Sequence, residues 1–465
     1  MGLVQKTEEI FVDRSIFTPL AHAGLTTLKL QYNWRTDEHI LSATREWDTD
    51  RDFSRYNKDF NAYTTLSTRG IHLDTAQVLE LFASHGLRGY LDEILDLLRQ
   101  GRHEGIEVYY HAGRNIRFLC HQHSRKLGLR NRHHAIMAGG TRRHDPSTPE
   151  IAVITDGLNL SRAMSFKNIA AGLEFGGCKT TVHMEEPALD DLETLGFLAF
   201  AIDRCRTMTS PDMNLSTAVA DVMNEHFSSQ FTNGPSSPLG ESGRPTALGS
   251  YLALREAVSF TEGTELIDAL LGKTAVVMGL GAVGWHLAGH LLDAGVNLTV
   301  SDINPDRVRE LQDMHPEAQI AAIGVDEVLG FEADILCPSA IGGILDEASI
   351  NALRYSYVFG PANNQIKATN QAEEQRLAQL LADRGILFQT EWWHNTGGVM
   401  GGAEEFLHGA AASPERLRER VINTVPRKTR ENLEQAAALG ITPTDNAYRQ
   451  CAELLFDTEA VQVVS

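Results

Sequence analysis

The sequence predicts an α/β protein with two domains: an N-terminal domain built on a mixed sheet and a second, doubly wound domain, with a cleft between them. Two observations predict this class. In the first half, short apolar runs such as IEVYYH and IRFLCH are separated by turn-forming residues, as hairpin strands are. From about residue 250, strands and amphipathic helices alternate, which is typical of βαβ units and a parallel sheet.

The composition is that of an ordinary globular chain and disfavours several classes of partner. The 465 residues include 41 Lys and Arg against 61 Asp and Glu, a formal net charge of −20. Such an acidic chain is a poor ligand for nucleic acid or an anionic membrane. The longest apolar stretch, LGFLAFAI, is too short to span a bilayer, and the first residues contain no apolar signal core. We therefore expect a cytoplasmic protein whose five cysteines are reduced thiols.

Changes of pattern divide the chain into four predicted segments. Residues 1–105 are polar, contain one amphipathic helix candidate, and are predicted to be an N-terminal extension that serves oligomerisation or acts as a lid. Residues 106–248 form the predicted substrate domain and residues 249–390 the doubly wound domain. Residues 391–465 are helical and are expected to pack back toward the substrate domain.

The doubly wound domain begins with a dinucleotide-binding pattern. Gly279, Gly281 and Gly284 form G-x-G-x-x-G between the strand TAVVM and the helix WHLAGHLLDAG. The first glycine permits the tight turn, the second lets the backbone approach a pyrophosphate, and the third lets helix and strand pack closely. This context predicts a Rossmann-type domain.

The same turn predicts which dinucleotide is bound. Ala282, Val283 and Gly284 stand at the helix N-terminus, where backbone amides face an anion. Asp302 follows at the end of the next strand, where an acid hydrogen-bonds the adenosine ribose and repels a 2′-phosphate. We therefore predict NAD as the cofactor, rather than NADP.

Two lysines and an aspartate upstream lie among glycine and apolar neighbours. Lys167 and Lys179 flank a glycine-containing loop, and Lys179 precedes a strand, where burial would lower the pKa of its amine. Asp212 lies in the proline-restrained loop SPDMN. Together they would supply an anion anchor and an acid–base pair, although each alone is more typical of a solvated surface charge.

These residues stand in blocks that resemble the glutamate/leucine/phenylalanine/valine dehydrogenase family, closest to its leucine and phenylalanine branch. The blocks occur in the family order over residues 106–406 and are AGGTRRHDP, AMSFKNIAAGLEFGGCKTTV, SPDMN, GLGAVG, PSAIGGIL, PANNQI and NTGGV. The resemblance implies a homo-oligomeric enzyme that converts an L-amino acid to a 2-oxo acid and ammonia with NAD, or catalyses the reverse reaction.

The resemblance also implies what each site residue does. Lys167 corresponds to the lysine that holds the substrate α-carboxylate, Lys179 to the lysine that activates water, and Asp212 to the carboxylate that exchanges protons with the amino group. The other implied residues lie in the glycine-rich and asparagine-containing blocks: Gly139 and Gly140 line the pocket by their backbone, Asn363 or Asn364 orients substrate and nicotinamide, and Asn364 and Asn395 contact the cofactor.

Two small residues bear on the choice of amino acid. Ala138 and Gly402 stand where glutamate-specific members carry a lysine and a serine that bind the side-chain carboxylate. With no cation there glutamate is disfavoured, and the space suits a bulky apolar or aromatic side chain. Refilling of that space by Met137, Met400 or the N-terminal region is the open alternative.

Other features leave further alternatives open. Cys178 replaces a family glycine before the lysine, and Thr396 replaces an alanine; either change could tighten the pocket. The chain could instead act on an unusual amino or imino acid in specialised biosynthesis, or be a non-catalytic NAD-binding regulatory subunit. No metal is expected, because the following residues match no zinc spacing: Cys120, His123, His133, His134 and His144.

Overall fold

The computed structural model describes residues 14–48, 51–56, 70–125, 136–227, 232–368 and 370–456, so His133 and His134 lie outside the described residues. The described chain divides into two compact units. Unit 1 contains the described residues up to Asn168, together with Glu174–Gly240 and Glu405–Ala411; unit 2 contains Ile169–Leu173, Glu241–Glu404 and the described residues from Ala412 onward.

Unit 1 contains one mixed sheet with helices on both faces. Its elements are α1 (Phe17–Ala23), β1 (Thr27–Asn33), β2 (Glu38–Arg45), β3 (Ile71–Leu73), α2 (Thr75–Ser84), α3 (Arg88–Gly101), β4 (Gly105–His111), β5 (Ile116–Ser124), β6 (Met137–Ala138), β7 (Thr141–His144), α4 (Glu150–Ala170), β8 (Gly176–His183), α5 (Leu192–Cys205), β9 (Thr207–Met208), α6 (Ala218–Val222) and a π-helical turn (Met223–Phe227).

The strands of unit 1 are ordered β3-β2-β1-β4-β5-β8-β6-β9, and β7 also pairs with β8. The first five pairings are antiparallel, whereas β6, β7 and β9 run parallel to their neighbours. The boundary predicted at residue 105 falls at the start of β4, which pairs with β1. The N-terminal segment thus contributes β1, β2 and β3 to the sheet that carries Lys179, a pairing between distant parts of the chain that local pattern does not reveal.

Alternation along the strands builds a separate core on each face of this sheet. In β4, Val108 packs with aliphatic residues of α3 and α4, while Tyr109 packs with aromatic residues of α5. We call the second set the aromatic core; its aromatic members include Trp47, Phe53, Tyr109, Phe118, Phe197 and Phe200. Because both faces are covered, the central strands β4, β5 and β8 are buried along their whole length.

A buried carboxylate fastens the first described residues to this sheet. Glu150, at the start of α4, accepts hydrogen bonds from the Ser15 hydroxyl, the Ile16 backbone amide and the Tyr90 hydroxyl. Burial raises the pKa of Glu150, and the donated hydrogen bonds work against that rise. The chain before β1 is therefore part of unit 1 from residue 15 onward.

Unit 2 has the predicted alternation of strands and helices. Its elements are α7 (Gly243–Glu262), β10 (Thr274–Met278), α8 (Gly284–Asp293), β11 (Asn297–Ser301), α9 (Pro305–Met314), β12 (Ala321–Ala322), a 3-10 turn (Val325–Gly330), β13 (Ile335–Pro338), α10 (Glu347–Ala352), β14 (Tyr357–Val358), α11 (Gln371–Asp383), β15 (Leu387–Phe388), a 3-10 turn (Glu391–Trp393), α12 (Gly397–His408), a 3-10 turn (Gly409–Ala411), α13 (Pro414–Leu439) and α14 (Pro443–Phe456). The last turn of α12 and the 3-10 turn after it belong to unit 1.

The strands of unit 2 form an all-parallel sheet in the order β12-β11-β10-β13-β14-β15. Numbered from β10, this is the order 3-2-1-4-5-6 of a Rossmann domain, whose ligands bind at the carboxyl ends of the strands where the order reverses. The structure confirms the predicted α/β class with one mixed and one doubly wound sheet.

The C-terminal helices pack within unit 2. The long helix α13 lies along α7, and α14 packs against α13 and α11. Helix α13 carries an apolar stripe, including Val421, Val425 and Leu433, that is buried where it meets α7. Of the segment predicted at 391–465, Glu405–Ala411 belongs to unit 1 and the described remainder to unit 2. Among the described residues, no helix combines the length and apolar character needed to cross a membrane.

Three buried histidines on β5 and β8 predict a loss of stability in acid. Burial lowers the pKa of His121 and of His123 from 6.5 to about 3, and that of His183 to about 4. As the pH falls, these histidines take up protons in the unfolded chain at a higher pH than in the folded protein. The free energy of unfolding is therefore unaffected by them above pH 6.5 and decreases as the pH falls from 6.5 toward 3. Each unit of pKa difference corresponds to about 1.36 kcal/mol. Urea unfolding between pH 4 and pH 8 measures the slope.

A pair of histidine variants identifies the source of that slope. His123→Gln should flatten the dependence of unfolding free energy on pH, because the glutamine has no proton to gain. His72→Gln, on the exposed strand β3, should leave it unchanged. Equal slopes in all three proteins would contradict this assignment.

Candidate active site

Lys179 lies in β8 at the centre of the mixed sheet, and only 6% of its side chain is exposed. Two glycines before it let neighbouring backbone come close. A Cβ on Gly177 would overlap Ser165 of α4, and a Cβ on Gly176 would overlap the Ser124 carbonyl at the end of β5. Helix α4 therefore packs directly on β8 and buries the lysine.

Asp212 is the ionic partner of Lys179. The Asp212 amide donates to the Thr141 carbonyl over 2.9 Å, which fixes the SPDMN loop beside β7. Lys179 Nζ donates a hydrogen bond to Asp212 Oδ2. Burial by itself raises the pKa of the Asp212 carboxyl, but the charges of Lys179 and Arg142, with the hydrogen bond from Lys179, lower that pKa to about 2. The carboxylate is ionised at neutral pH.

The glycine pair between β6 and β7 holds this arrangement together. A Cβ on Gly139 would overlap the Cys178 carbonyl oxygen of β8, so only glycine fits there. A Cβ on Gly140 would lie 3.1 Å from Lys179 Nζ and 3.2 Å from Asp212 Cβ. The backbone of Gly140 is therefore in direct contact with the lysine–aspartate pair.

Strand alternation decides which neighbours share the face of Lys179. Ala138 pairs with Gly177, two residues before Lys179, and its buried side chain points to the same side. Cys178 and Met137 point to the other side and belong to the aromatic core. The thiol that departs from the family pattern thus lies behind the strand.

Lys167 lies on the same element that covers β8. It occupies the last turn of α4, with its side chain half-buried. The following residue, Asn168, donates to the Gly176 carbonyl over 2.9 Å, which fixes the end of the helix against the start of β8.

Sequence reasoning did not place Arg142 and His144 at this site. Arg142 of β7 lies 3.3 Å from Asp212 Oδ2 and 3.0 Å from Asp156 Oδ2, so it bridges the loop to α4. His144, two residues along β7, lies 3.3 Å from Asp156. The alternation of side chains along a strand indicates that residues 142 and 144 lie on one face of β7. It does not indicate their partners in α4 and the SPDMN loop, which are distant in sequence. Within the described chain, no cluster of three or more histidine, cysteine or acidic side chains is arranged to hold a metal.

The three glycines of the dinucleotide pattern occupy three different environments. Gly279 has φ 102°, and a Cβ there would lie 2.6 Å from Ala340 Cβ. A Cβ on Gly284 would overlap the Gly279 carbonyl oxygen, whereas a Cβ on Gly281 would meet nothing within 4 Å. The turn is therefore tight at its start and at the helix and open at Gly281, as a site that admits a pyrophosphate requires. The residues present fit a dinucleotide.

Charged groups flank this turn at the end of β11. Asp302 accepts hydrogen bonds from the Leu280 amide over 2.6 Å and from the Asn304 amide over 2.8 Å. Arg307 donates to the Leu280 carbonyl over 3.2 Å, and its guanidinium carbon lies 4.0 Å from the Trp285 ring centre. The sequence predicted the carboxylate at this turn but not the arginine.

The asparagines meet beyond β13 and β14. Asn395 is buried and donates to Asn363 Oδ1 over 2.8 Å and to the Pro361 carbonyl over 3.0 Å. Asn364 has φ 53°, and its amide donates to Glu391 over 2.7 Å. The side chain of Asn363 thus hydrogen-bonds to Asn395, whereas the backbone of Asn364 hydrogen-bonds to Glu391. Gly402 is buried in α12.

Comparison with known proteins gives the following relatives. No family model matches the chain. Leucine dehydrogenase of Bacillus cereus is 34% identical over 278 residues, covering 58% of this chain and 71% of the relative. Valine dehydrogenase of Streptomyces albus is 33% identical over 318 residues, covering 67% of this chain and 81% of the relative. The crystal structure of L-tryptophan dehydrogenase from Nostoc punctiforme is 26% identical, with a TM-score of 0.65, and covers 78% of this chain and 99% of that one.

A pair of glycine variants tests the close packing at β8. Gly139→Ala should lower the free energy of unfolding by about 3 kcal/mol or more, because the added Cβ meets backbone that has no room to move. Gly140→Ala should fold with a smaller loss, because the nearest atom to its Cβ is the end of a flexible lysine. Urea unfolding measures both, and a Gly139→Ala variant as stable as wild type would contradict the packing.

Proposed function

The chain belongs to the amino acid dehydrogenase family, and from this premise we propose that it uses NAD to deaminate an L-amino acid with a bulky apolar or aromatic side chain, or catalyses the reverse reaction. As a member of the family it is an oxidoreductase acting on a CH–NH2 group. The observation that carries the proposal is the ion pair of the buried Lys179 with the partly exposed Asp212, beside the backbone of Gly140.

The proposed reaction consumes an amino acid, water and NAD⁺ and forms a 2-oxo acid, ammonium, NADH and a proton. NAD, when bound, accepts the hydride that leaves the α-carbon. Lys167 holds the α-carboxylate, and Asp212 takes a proton from the α-ammonium group so that the nitrogen lone pair can form the iminium. Lys179 loses its own proton to solvent when the substrate binds and, as the neutral amine, takes a proton from the water that attacks the iminium carbon. Asp212 then returns its proton to the amine of the resulting carbinolamine, whose hydroxyl proton leaves with ammonia as ammonium while the carbonyl forms.

The geometry of the pair supports this division of labour. A lysine that must accept a proton and a carboxylate that must exchange one have to be coupled and shielded from bulk water. Lys179 is almost completely buried, whereas 29% of the Asp212 side chain is exposed. The carboxylate is thus the more accessible of the two, as a group that meets the incoming amine has to be.

Residues of unit 2 are proposed to hold the cofactor. Gly279, Gly281 and Gly284 form the turn for the pyrophosphate, with the amides of Ala282 and Val283 at the start of α8. We propose NAD rather than NADP, because the Asp302 carboxylate is fixed at this turn and would repel a 2′-phosphate. Arg307 offsets this repulsion only in part, because its guanidinium also pairs with Glu310 over 2.6 Å. Asn364 and Asn395 are proposed to contact the nicotinamide end.

The proposed substrate class follows from what surrounds the side-chain position. Ala138 adds only a methyl group to the face of Lys179, and Met137 packs into the aromatic core instead of filling that space. The named specificities of the relatives, for leucine, valine and tryptophan, agree with an apolar substrate. We also propose that the enzyme is a homo-oligomer acting on small molecules alone.

Replacing Lys179 tests the proposed reaction. Lys179→Ala should lower kcat for the best L-amino acid by roughly 10²- to 10⁴-fold, the usual contribution of a positioned acid or base. NADH formation across a panel of aromatic, branched, acidic and small L-amino acids measures it, with NADP in parallel. Lys29→Ala is the control, because Lys29 pairs with Glu107 on β4 and touches none of the site residues named above.

Other outcomes of the panel separate the alternatives. Turnover of glutamate would overturn the proposed pocket but leave the chemistry intact. NAD binding without oxidation of any common amino acid would favour an unusual amino or imino acid, or a regulatory subunit. Full activity of Lys179→Ala would contradict the mechanism.

Two glycine variants with equally open surroundings test the cofactor site. Gly281→Ala should weaken NAD binding by roughly 10- to 100-fold while leaving the melting temperature unchanged, because its Cβ would occupy space meant for the pyrophosphate. Gly289→Ala, in the middle of α8, also meets nothing within 4 Å and should bind as wild type. Fluorescence titration with NADH measures both, and equal affinities would place the cofactor elsewhere.

A further inference from the structure

We propose that Arg142 is a positioning residue for Asp212, and that Asp156 determines how much of the arginine charge Asp212 receives. This inference rests on the proposed function, since it concerns the proton exchange of the Lys179–Asp212 pair. It adds two residues to the site that have no role in the proposed reaction. Arg142 contacts Asp212 directly, and Asp156 acts on Asp212 through Arg142.

Arg142 stands between two carboxylates. Its Nε and Nη2 each lie 3.3 Å from Asp212 Oδ2, the oxygen that also accepts from Lys179. Its Nη1 donates to both oxygens of Asp156, over 3.1 and 3.0 Å. Two donors from two strands act on one oxygen of Asp212, which fixes the rotation of that carboxylate about its side chain.

The position of Arg142 follows from the pairing of β7 with β8. Arg142 pairs with Thr181, two residues after Lys179, so both side chains extend to the face covered by α4, which carries Asp156. Arg143 extends to the opposite face, where it donates to the carbonyls of Asn214, over 2.7 Å, and Met184, over 3.2 Å. Two adjacent arginines thus have different partners: one binds carboxylates, the other only backbone.

The charged and titratable groups at this face come from several elements. Lys179 extends from β8, Arg142 and His144 from β7, Asp156 from α4, and Asp212 from the loop after β9. His121 of β5 also faces Asp156 and His144, but burial lowers its pKa to about 3, so it is neutral at neutral pH. The positive charges of Lys179 and Arg142 balance the negative charges of Asp156 and Asp212.

Only 17% of the Arg142 side chain is exposed, so its charge acts in a partly desolvated environment. A guanidinium keeps its proton at any pH at which the protein is folded. Burial raises the pKa of Asp156, but its interactions with His144 and Arg142 outweigh that effect and lower it. Asp156 is therefore a fixed negative charge that draws Arg142 toward α4 and away from Asp212.

This competition gives two substitutions with opposite effects. Arg142→Gln removes a positive charge beside the pair, so protonation of the pair becomes easier and its apparent pKa should rise by roughly one unit. Asp156→Asn removes the competing negative charge, so Asp212 receives more of the arginine and the apparent pKa of the pair should fall. A merely structural network would lose activity in both variants without opposite shifts.

The pH dependence of kcat/KM for the best amino acid is the first measurement. On the acidic side of the profile, where the pair must lose a proton, a shift of one unit corresponds to a loss of about tenfold for Arg142→Gln at fixed pH. Asp156→Asn should gain rate at the same pH. Arg142→Lys should restore part of the loss, because a lysine keeps the charge but lacks the planar fork that reaches both carboxylates. Arg114→Gln is the matched control, because Arg114 likewise bridges two carboxylates, Asp191 and Glu193, and it should leave the profile unchanged.

A second measurement does not depend on turnover. NMR titration of protein labelled with ¹³C at lysine Cε, with the resonance assigned by its loss in Lys179→Ala, follows the same pair directly. If wild type oxidises no amino acid, the proposed function fails while this titration still tests the inference. Shifts in the same direction for Arg142→Gln and Asp156→Asn, or no shift in either folded variant, would overturn it.

Discussion

The ion pair between Lys179 and Asp212 is the interaction on which the candidate site depends. An ammonium group on the central strand of a sheet covered on both faces would be unstable without a partner, because burial of an unpaired charge is costly. The loop carrying Asp212 is fixed beside β7 by a backbone hydrogen bond to Thr141. The glycines that let β6, β7 and α4 approach β8 serve the same end, since each brings a neighbour closer than a side chain would allow.

Period-two alternation lets one sheet hold a core and a reactive face on the same strands. In β8, Cys178 packs into the aromatic core, while the next residue, Lys179, meets Asp212. In β7, Arg142 likewise extends to the face of Lys179, where it binds Asp156, and Arg143 extends to the opposite face. The cysteine that replaces a family glycine is therefore a packing residue, and the polar face retains its charges despite the substitution.

The glycine turn of unit 2 leaves backbone open, which supports the proposed binding of an anionic cofactor there. The turn needs one glycine for a positive φ, one for contact between helix and strand, and one for open space. Asp302 contributes twice, since its carboxylate both stabilises the turn through the Leu280 amide and carries the charge from which we infer NAD. The turn and its selectivity are thus built from the same few residues.

The α/β class, the glycine turn and the grouping of Lys179 with Asp212 could be predicted from the sequence, because glycine spacing and ordered blocks are properties of short segments. The sequence did not reveal that β1 pairs with β4, which places residues 27–33 in the substrate-domain sheet. Nor did it reveal that Arg142 joins Asp156 to Asp212, or that Arg307 reaches the cofactor turn. These contacts could not be predicted from local pattern, because strand partners and ion pairs between distant segments depend on how the whole sheet and its helices pack.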